Sequence, residues 1–319
     1  MLCSGLEGSC MSVVSELSQL KKAGKKGKRR YKDNKAGHLF LLPWTVGLFA
    51  ITIIPMVATL YLAFTNYNLL QPPEWTGMDN ITRMIGDERL HNSLQVTFTY
   101  VFVGVPVQLA VSLAIAMLLD RGMRGLPFYR SVFYLPSMLG SSVAIAVLWR
   151  QIFGHSGLIN QILEMVGIEG RGWVSSPDTA LSTLIILHVW TFGAPMVIFL
   201  AGLRQIPDMY YEAASIDGAS KIKQFFTITI PLLTPIIFFN LVMQLIGSFQ
   251  NFTQAYVVSG GSGGPADSTL FYTLYLYQQG FSRFDMGYAS AMAWLLVLII
   301  ATLTAVNFLA AKYWVHYDD

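Results

Sequence analysis

Residues 211–231 read YEAASIDGASKIKQFFTITIP. The stretch lies between two long apolar runs, yet it holds Glu212, Asp217, Lys221 and Lys223. Upstream, Pro207 suits a first helical turn, where its missing N–H costs little, and Asp208 suits the dipole at that end. Met209, Ala213 and Ile216 recur at helical spacing, and Ala213 with Ala214 forms a patch small enough for close approach. Gly218 can take the left-handed backbone that ends a helix, and Ser220 can cap the next one. The pattern predicts a short helix over 207–219, a glycine turn, and a second helix running through Phe225 and Phe226 towards Pro231. Spacing alone leaves two readings open: a joint between a soluble partner and a membrane span, or a plain amphipathic connector on the bilayer.

The surrounding chain is membranous. Of 319 residues, 54% are apolar and 12% charged, against about 25% charge in a soluble domain. A span needs roughly 20 apolar residues. Six segments qualify, at about 39–65, 94–119, 127–149, 179–203, 231–253 and 287–311. The first is too long for a signal-peptide core and follows a long tail. An all-α protein with six transmembrane helices is expected.

Residues 1–38 carry nine Lys/Arg against three acids, whereas the remainder is net acidic. The basic cluster from Lys21 to Lys35 abuts a span and has no aromatic interleaving beyond Tyr31. It reads as an anchor on anionic lipid rather than a nucleic-acid site. Cys3 and Cys10 have neither the spacing nor the partners of a metal site or structural disulfide. Along the chain, every second loop is the more basic, which predicts that both termini face the cytoplasm. The opening stretch then lies on the cytoplasmic side.

Glu212-Ala213-Ala214, three residues, Gly218, nine residues, Ile228, one residue and Ile230-Pro231 resemble the EAA motif of ABC-importer permeases. Ile230 stands where leucine is usual. FYRSVFYLPSMLGSSVAIAVLWRQIF (128–153), GLIN (157–160), GGPADST (263–269) and GYASAMA (287–293) are similar to the sugar-importer branch, of the maltose and glycerol-phosphate type. The resemblance covers roughly residues 38–315, with the motifs in family order. It implies a type I ABC importer permease domain over 39–319 in the bacterial inner membrane. The 207–219 helix would be a coupling helix seated on a cytoplasmic ATPase dimer, through Glu212, Ala213, Ala214, Asp217 and Gly218. It also implies a second permease subunit, an extracytoplasmic solute-binding protein, and a sugar substrate. ATP and Mg would be held by the ATPase partners; no cofactor is expected in this chain.

None of the six spans carries Asp, Glu, Lys or Arg in its interior, which argues against proton coupling and against a charged cargo. Asn240, Gln244, Ser248 and Asn251 form a polar stripe near Phe249 and Phe252, and His188, Trp190 and Thr191 lie near mid-membrane in span four. Such groups either bond neighbouring helices or face a neutral polyol. By resemblance, substrate contacts fall near His188, Thr191, Gln244, Ser248 and Asn251.

Other features are weaker. Pro106 beside Gly104 predicts a kink, and Trp44, Trp149 and Trp314 read as interfacial anchors. Residues 259–269 (SGGSGGPADST) lack the Lys-Ser/Thr ending of a phosphate loop and are expected to form a flexible external loop. Without GxxxxGK[ST] or HExxH in the sequence, neither an ATPase nor a zinc protease is indicated. The competing function is a stand-alone secondary carrier or channel.

Overall fold

The computed structural model describes residues 34–122 and 125–316. The basic tail over 1–38, with Cys3 and Cys10, lies outside them apart from its last five residues. Helix α1 (Asn34–Gly47), a π-helical segment (Leu48–Ile53) and α2 (Ile54–Leu62) follow one another, and Gly37–Leu62 is long and apolar enough to cross a membrane. A second compact unit begins at Thr59. It opens with a short antiparallel ladder of β1 (Thr65–Asn66) and β2 (Glu74–Trp75), followed by α3 (Asp79–Gly86). Asn80 of α3 donates to the carbonyls of Ala63 (2.9 Å) and Thr65 (3.0 Å).

Helix α4 (Glu88–Asp120) is the axis of this unit. At 1.5 Å per residue its 33 residues reach about 50 Å. Tyr100, Gly104, Gln108, Ser112 and Ala116 lie four apart and are all buried, so one face of the helix is a continuous packing surface. The remaining elements are α5 (Leu126–Leu139), α6 (Val143–Ile152), α7 (Leu158–Met165), α8 (Pro177–Trp190) and α9 (Gly193–Leu203). Then come α10 (Asp208–Ile216), α11 (Lys221–Gln224), a π-helical segment (Phe225–Thr229), α12 (Ile230–Phe249), α13 (Thr253–Ser259), α14 (Tyr272–Tyr277) and α15 (Met286–Trp314). Helix α4 packs against α8, α9 and α12.

Four helical runs among the described residues could each cross a membrane, and six could if each bent pair counts as one crossing. The expected spans therefore need amending. Residues 127–149 are not one rod: α5 and α6 meet at 94°, and α8 and α9 meet at 41°. Span five ends at Phe249, which leaves Asn251 beyond it. Conversely, α4 runs as one helix through Pro106. The Trp149 indole N–H donates to the Thr183 carbonyl at 2.9 Å, so this side chain also packs between helices.

Residues 259–269 are tied down rather than flexible. Arg89 makes two hydrogen bonds to the Asp267 carboxylate (2.8 and 2.7 Å), and Asn92 donates to the Asp267 carbonyl at 3.1 Å. These contacts hold Asp267 at φ 55, a conformation that non-glycine residues seldom adopt. Nearby, Arg83 pairs with Asp285 at 2.6 Å. Asp87 caps α4 through the Leu90 N–H and accepts from the hydroxyls of Tyr275 and Tyr288, both at 2.7 Å.

Burial raises the Asp87 pKa, but the bonds from Tyr288, Tyr275 and the Leu90 and Arg89 amides outweigh it and hold the carboxyl below the usual range. Burial, followed by Asp87 itself, pushes Tyr275 up to about 12. A lowered folded value means that the stabilisation is present above the ordinary aspartate pKa and fades as pH falls through the folded one. Asp87→Ala removes a cap and two hydrogen-bond acceptor sites and is expected to cost about 2–4 kcal/mol. Its thermal midpoint should fall well below wild type at pH 7, with the gap closing in acid. A gap independent of pH would contradict the carboxylate's role.

Candidate functional site

Three interruptions in the helices converge on one place. At the first, Ser142 caps α6 by accepting from the Ile145 N–H (3.3 Å). A side chain on Gly140 would collide with Thr191, so glycine lets this elbow close onto the second break. There Pro195 has no N–H to offer the Thr191 carbonyl. Other helices supply donors to that carbonyl instead: Ser137 Oγ at 2.8 Å and Gln108 Nε2 at 3.2 Å. Gln108 also donates to the His188 carbonyl (3.0 Å), and Ser112 to the Phe192 carbonyl (3.0 Å). A broken helix in an apolar surround needs such donors. The third break is Gln250–Phe252, between α12 and α13.

These breaks border a cavity of about 290 Å³ whose lining includes His188, Thr191, Gln244, Ser248 and Asn251. The structure thus brings all five residues singled out in the sequence to one place. Ser248 Oγ lies 3.4 Å from His188 Nε2, and His188 packs beside the Tyr100 ring with centroids 5.2 Å apart. Asn251 Nδ2 donates to Tyr100 OH (2.6 Å) and to Gln254 Oε1 (2.8 Å). The Gln244 side chain makes no hydrogen bond to any described residue.

The stripe divides at Asn240, which bonds back to the Ile236 carbonyl at 3.0 Å and does not line the cavity. Trp190 packs towards Trp149 instead. Of the two aromatics, Phe252 lines the cavity, while Phe249 is buried edge-on against Phe98. Tyr100, Ser141 and Gln254 also line it and were missed in the sequence. Among the described residues, the cavity lining has no charged side chain. Its amides and hydroxyls can exchange hydrogen bonds with a neutral polar solute.

The second candidate site is the joint formed by α10 and α11. Gly218 has φ +75 and nothing near its would-be Cβ, so its glycine serves backbone conformation and not space. The Ala219 N–H bonds the Ala214 carbonyl (2.9 Å) and the Gly218 N–H bonds Ser215 (3.1 Å), which is a Schellman ending. Ser220 then caps α11 through the Lys223 N–H at 3.3 Å.

Two side chains lock the corner. Buried Gln224 donates to Ser215 Oγ (2.9 Å) and to the Ala219 carbonyl (3.1 Å), and Tyr211 OH bonds Thr229 Oγ1 (2.9 Å). Glu212, Ala213, Asp217 and Gly218 are exposed, and Ala214 is half-buried. Glu212 has no ion-pair partner among the described residues.

A family model for the binding-protein-dependent transport system inner membrane component matches residues 88–315. The probable ABC transporter permease protein YesP of Bacillus subtilis (strain 168) is 52% identical, over 93% of this chain and 97% of its own length. The lactose transport system permease protein LacF of Rhizobium radiobacter is 33% identical, over 89% and 96%. A chain in the crystal structure of a bacterial alginate ABC transporter, in complex with alginate pentasaccharide-bound periplasmic protein, superposes with a TM-score of 0.76 at 19% identity. That match covers 89% of this chain and 98% of the other, and at this identity it speaks for the fold alone. A polar cavity at three helix breaks and an EAA-bearing corner thus sit in a chain that belongs to the binding-protein-dependent transport system inner membrane component family.

Proposed function

We propose that this chain is one permease subunit of an ATP-driven importer that passes a neutral sugar or related polyol. The observation that carries the cargo class is the uncharged, amide- and hydroxyl-lined cavity. The lactose system of one relative supports the same class. At about 290 Å³ the cavity is at the small end of ligand pockets, about 300–1,000 Å³, which fits a path completed by a second permease subunit. Both termini and α10 face the cytoplasm in this reading, and the Arg89–Asp267 end faces an extracytoplasmic binding protein.

Helix α10 would seat on an ATPase subunit through Glu212 and the Ala213–Ala214 patch. The corner locked by Gln224 and Tyr211 would then carry ATPase closure into α12, whose far end borders the cavity. Glu212→Lys is expected to lose the ATPase during purification, and an opposite charge change on the ATPase should restore it. Normal ATPase retention with normal uptake in Glu212→Lys would refute the docking.

A further inference from the structure

Gln254 occupies the first turn of α13 and is 8% exposed. Both ends of its amide are engaged. Its Nε2 donates to the Gly140 carbonyl at 2.8 Å, and its Oε1 accepts from Asn251 Nδ2 at 2.8 Å. The second Asn251 N–H goes to Tyr100 OH at 2.6 Å. One chain of three hydrogen bonds therefore runs from Tyr100 on α4, through the third helix break, to the α5–α6 elbow. The Gly140 carbonyl lies just past the end of α5, where carbonyls run out of partners within the helix. Its donor comes from another element, so the elbow's geometry depends on Gln254. Asn251 Oδ1 is left without a donor among the described residues, and Asn251 and Gln254 both line the cavity.

We infer that Gln254 is a positioning residue that makes the 94° elbow between α5 and α6 responsive to whether the cavity is occupied. With the cavity empty, Asn251 fixes the Gln254 amide and Gln254 fixes the elbow. A sugar hydroxyl oxygen that accepts from Asn251 Nδ2 competes with Gln254 Oε1 for that N–H, loosens the Gln254 side chain and so weakens its hold on the Gly140 carbonyl. Helix α6, which packs against α13, is then free to move. This role rests on the transport function proposed above.

The test uses the full complex with its ATPase and sister subunit, in nanodiscs for hydrogen exchange and ATP hydrolysis and in proteoliposomes for uptake, comparing wild type, Gln254→Leu and Gln254→Glu. The glutamate keeps the size and the acceptor for Asn251 but loses the donor to Gly140. It carries the test if the leucine variant fails to assemble. Without sugar, amide hydrogen exchange over 139–146 is expected to quicken about tenfold, the scale of one lost buried hydrogen bond, with α9 unchanged. ATP hydrolysis without binding protein should rise, and uptake of labelled lactose or maltose per ATP should fall.

Faster exchange with unchanged basal hydrolysis and unchanged uptake per ATP would reduce Gln254 to a packing residue and overturn the inference. Unchanged exchange in Gln254→Glu would overturn it as well. If the wild-type complex hydrolyses ATP but imports neither sugar nor any other neutral saccharide, the transport reading itself fails, and this role fails with it.

Discussion

Gly218→Val is expected to leave the complex assembled in the membrane while ATP hydrolysis no longer drives uptake. Gly218 holds φ +75, where a β-branched residue is a severe outlier. A left-handed conformation costs even an unbranched residue roughly 1–2 kcal/mol. The corner relieves that strain only by giving up its Schellman bonds, and with them the Gln224 and Tyr211 contacts that hold α10 to the start of span five. Because nothing lies within 4 Å of the would-be Cβ, the loss should follow backbone preference and not size. Gly218→Asn, which tolerates the left-handed region, should retain more uptake per ATP than Gly218→Ala, and Ala more than Val. Uptake per ATP at the wild-type level in the valine variant would remove the joint from the mechanism.

The second large effect is expected at Gln244 and Asn251, which the structure separates. The Gln244 side chain lines the cavity without a hydrogen bond to any described residue, so Gln244→Leu should change stability little. Asn251 holds Tyr100 and Gln254, so Asn251→Leu should lower both stability and transport. If Gln244 meets cargo, a sugar hydroxyl facing leucine loses its partner at about 1–3 kcal/mol, or roughly 5- to 150-fold in uptake per folded complex. Thermal stability and uptake measured on the same preparations distinguish the outcomes. Unchanged uptake per folded complex in Gln244→Leu would take that face of span five out of the pathway.

Local signals carried much of this architecture. Four of the apolar runs coincide with helices long and apolar enough to cross a membrane, because each covers a bilayer's thickness. Gly218 and Ser220 mark the corner because a left-handed turn and a helix cap are properties of single residues. The breaks at 140–142, 191–192 and 250–252 are a different matter. Local sequence permits each one, but what stabilises it is remote: Gln108, Ser112 and Ser137 satisfy the second break from α4 and α5, and Gln254 satisfies the first from α13.

Gln108 does carry a signal in the sequence, as an amide midway along the apolar run at 94–119, where a buried polar group must find partners. Tyr100 does not, since an aromatic at that spacing reads as core. Gln254 reads as a loop residue as long as the third break is invisible. The order of residues 259–269 also escaped, because it depends on Arg89, far away in sequence.

In the function proposed above, ATP hydrolysis on a partner subunit moves a neutral sugar past this chain. The direct test is uptake of labelled sugar into proteoliposomes carrying the purified complex, with loaded binding protein on one side and ATP on the other. Uptake should require ATP, the ATPase subunits and the binding protein together, and should be indifferent to an imposed proton or sodium gradient. Uptake by this chain without the ATPase, driven by such a gradient, would rule out ATP-driven import and establish a secondary carrier.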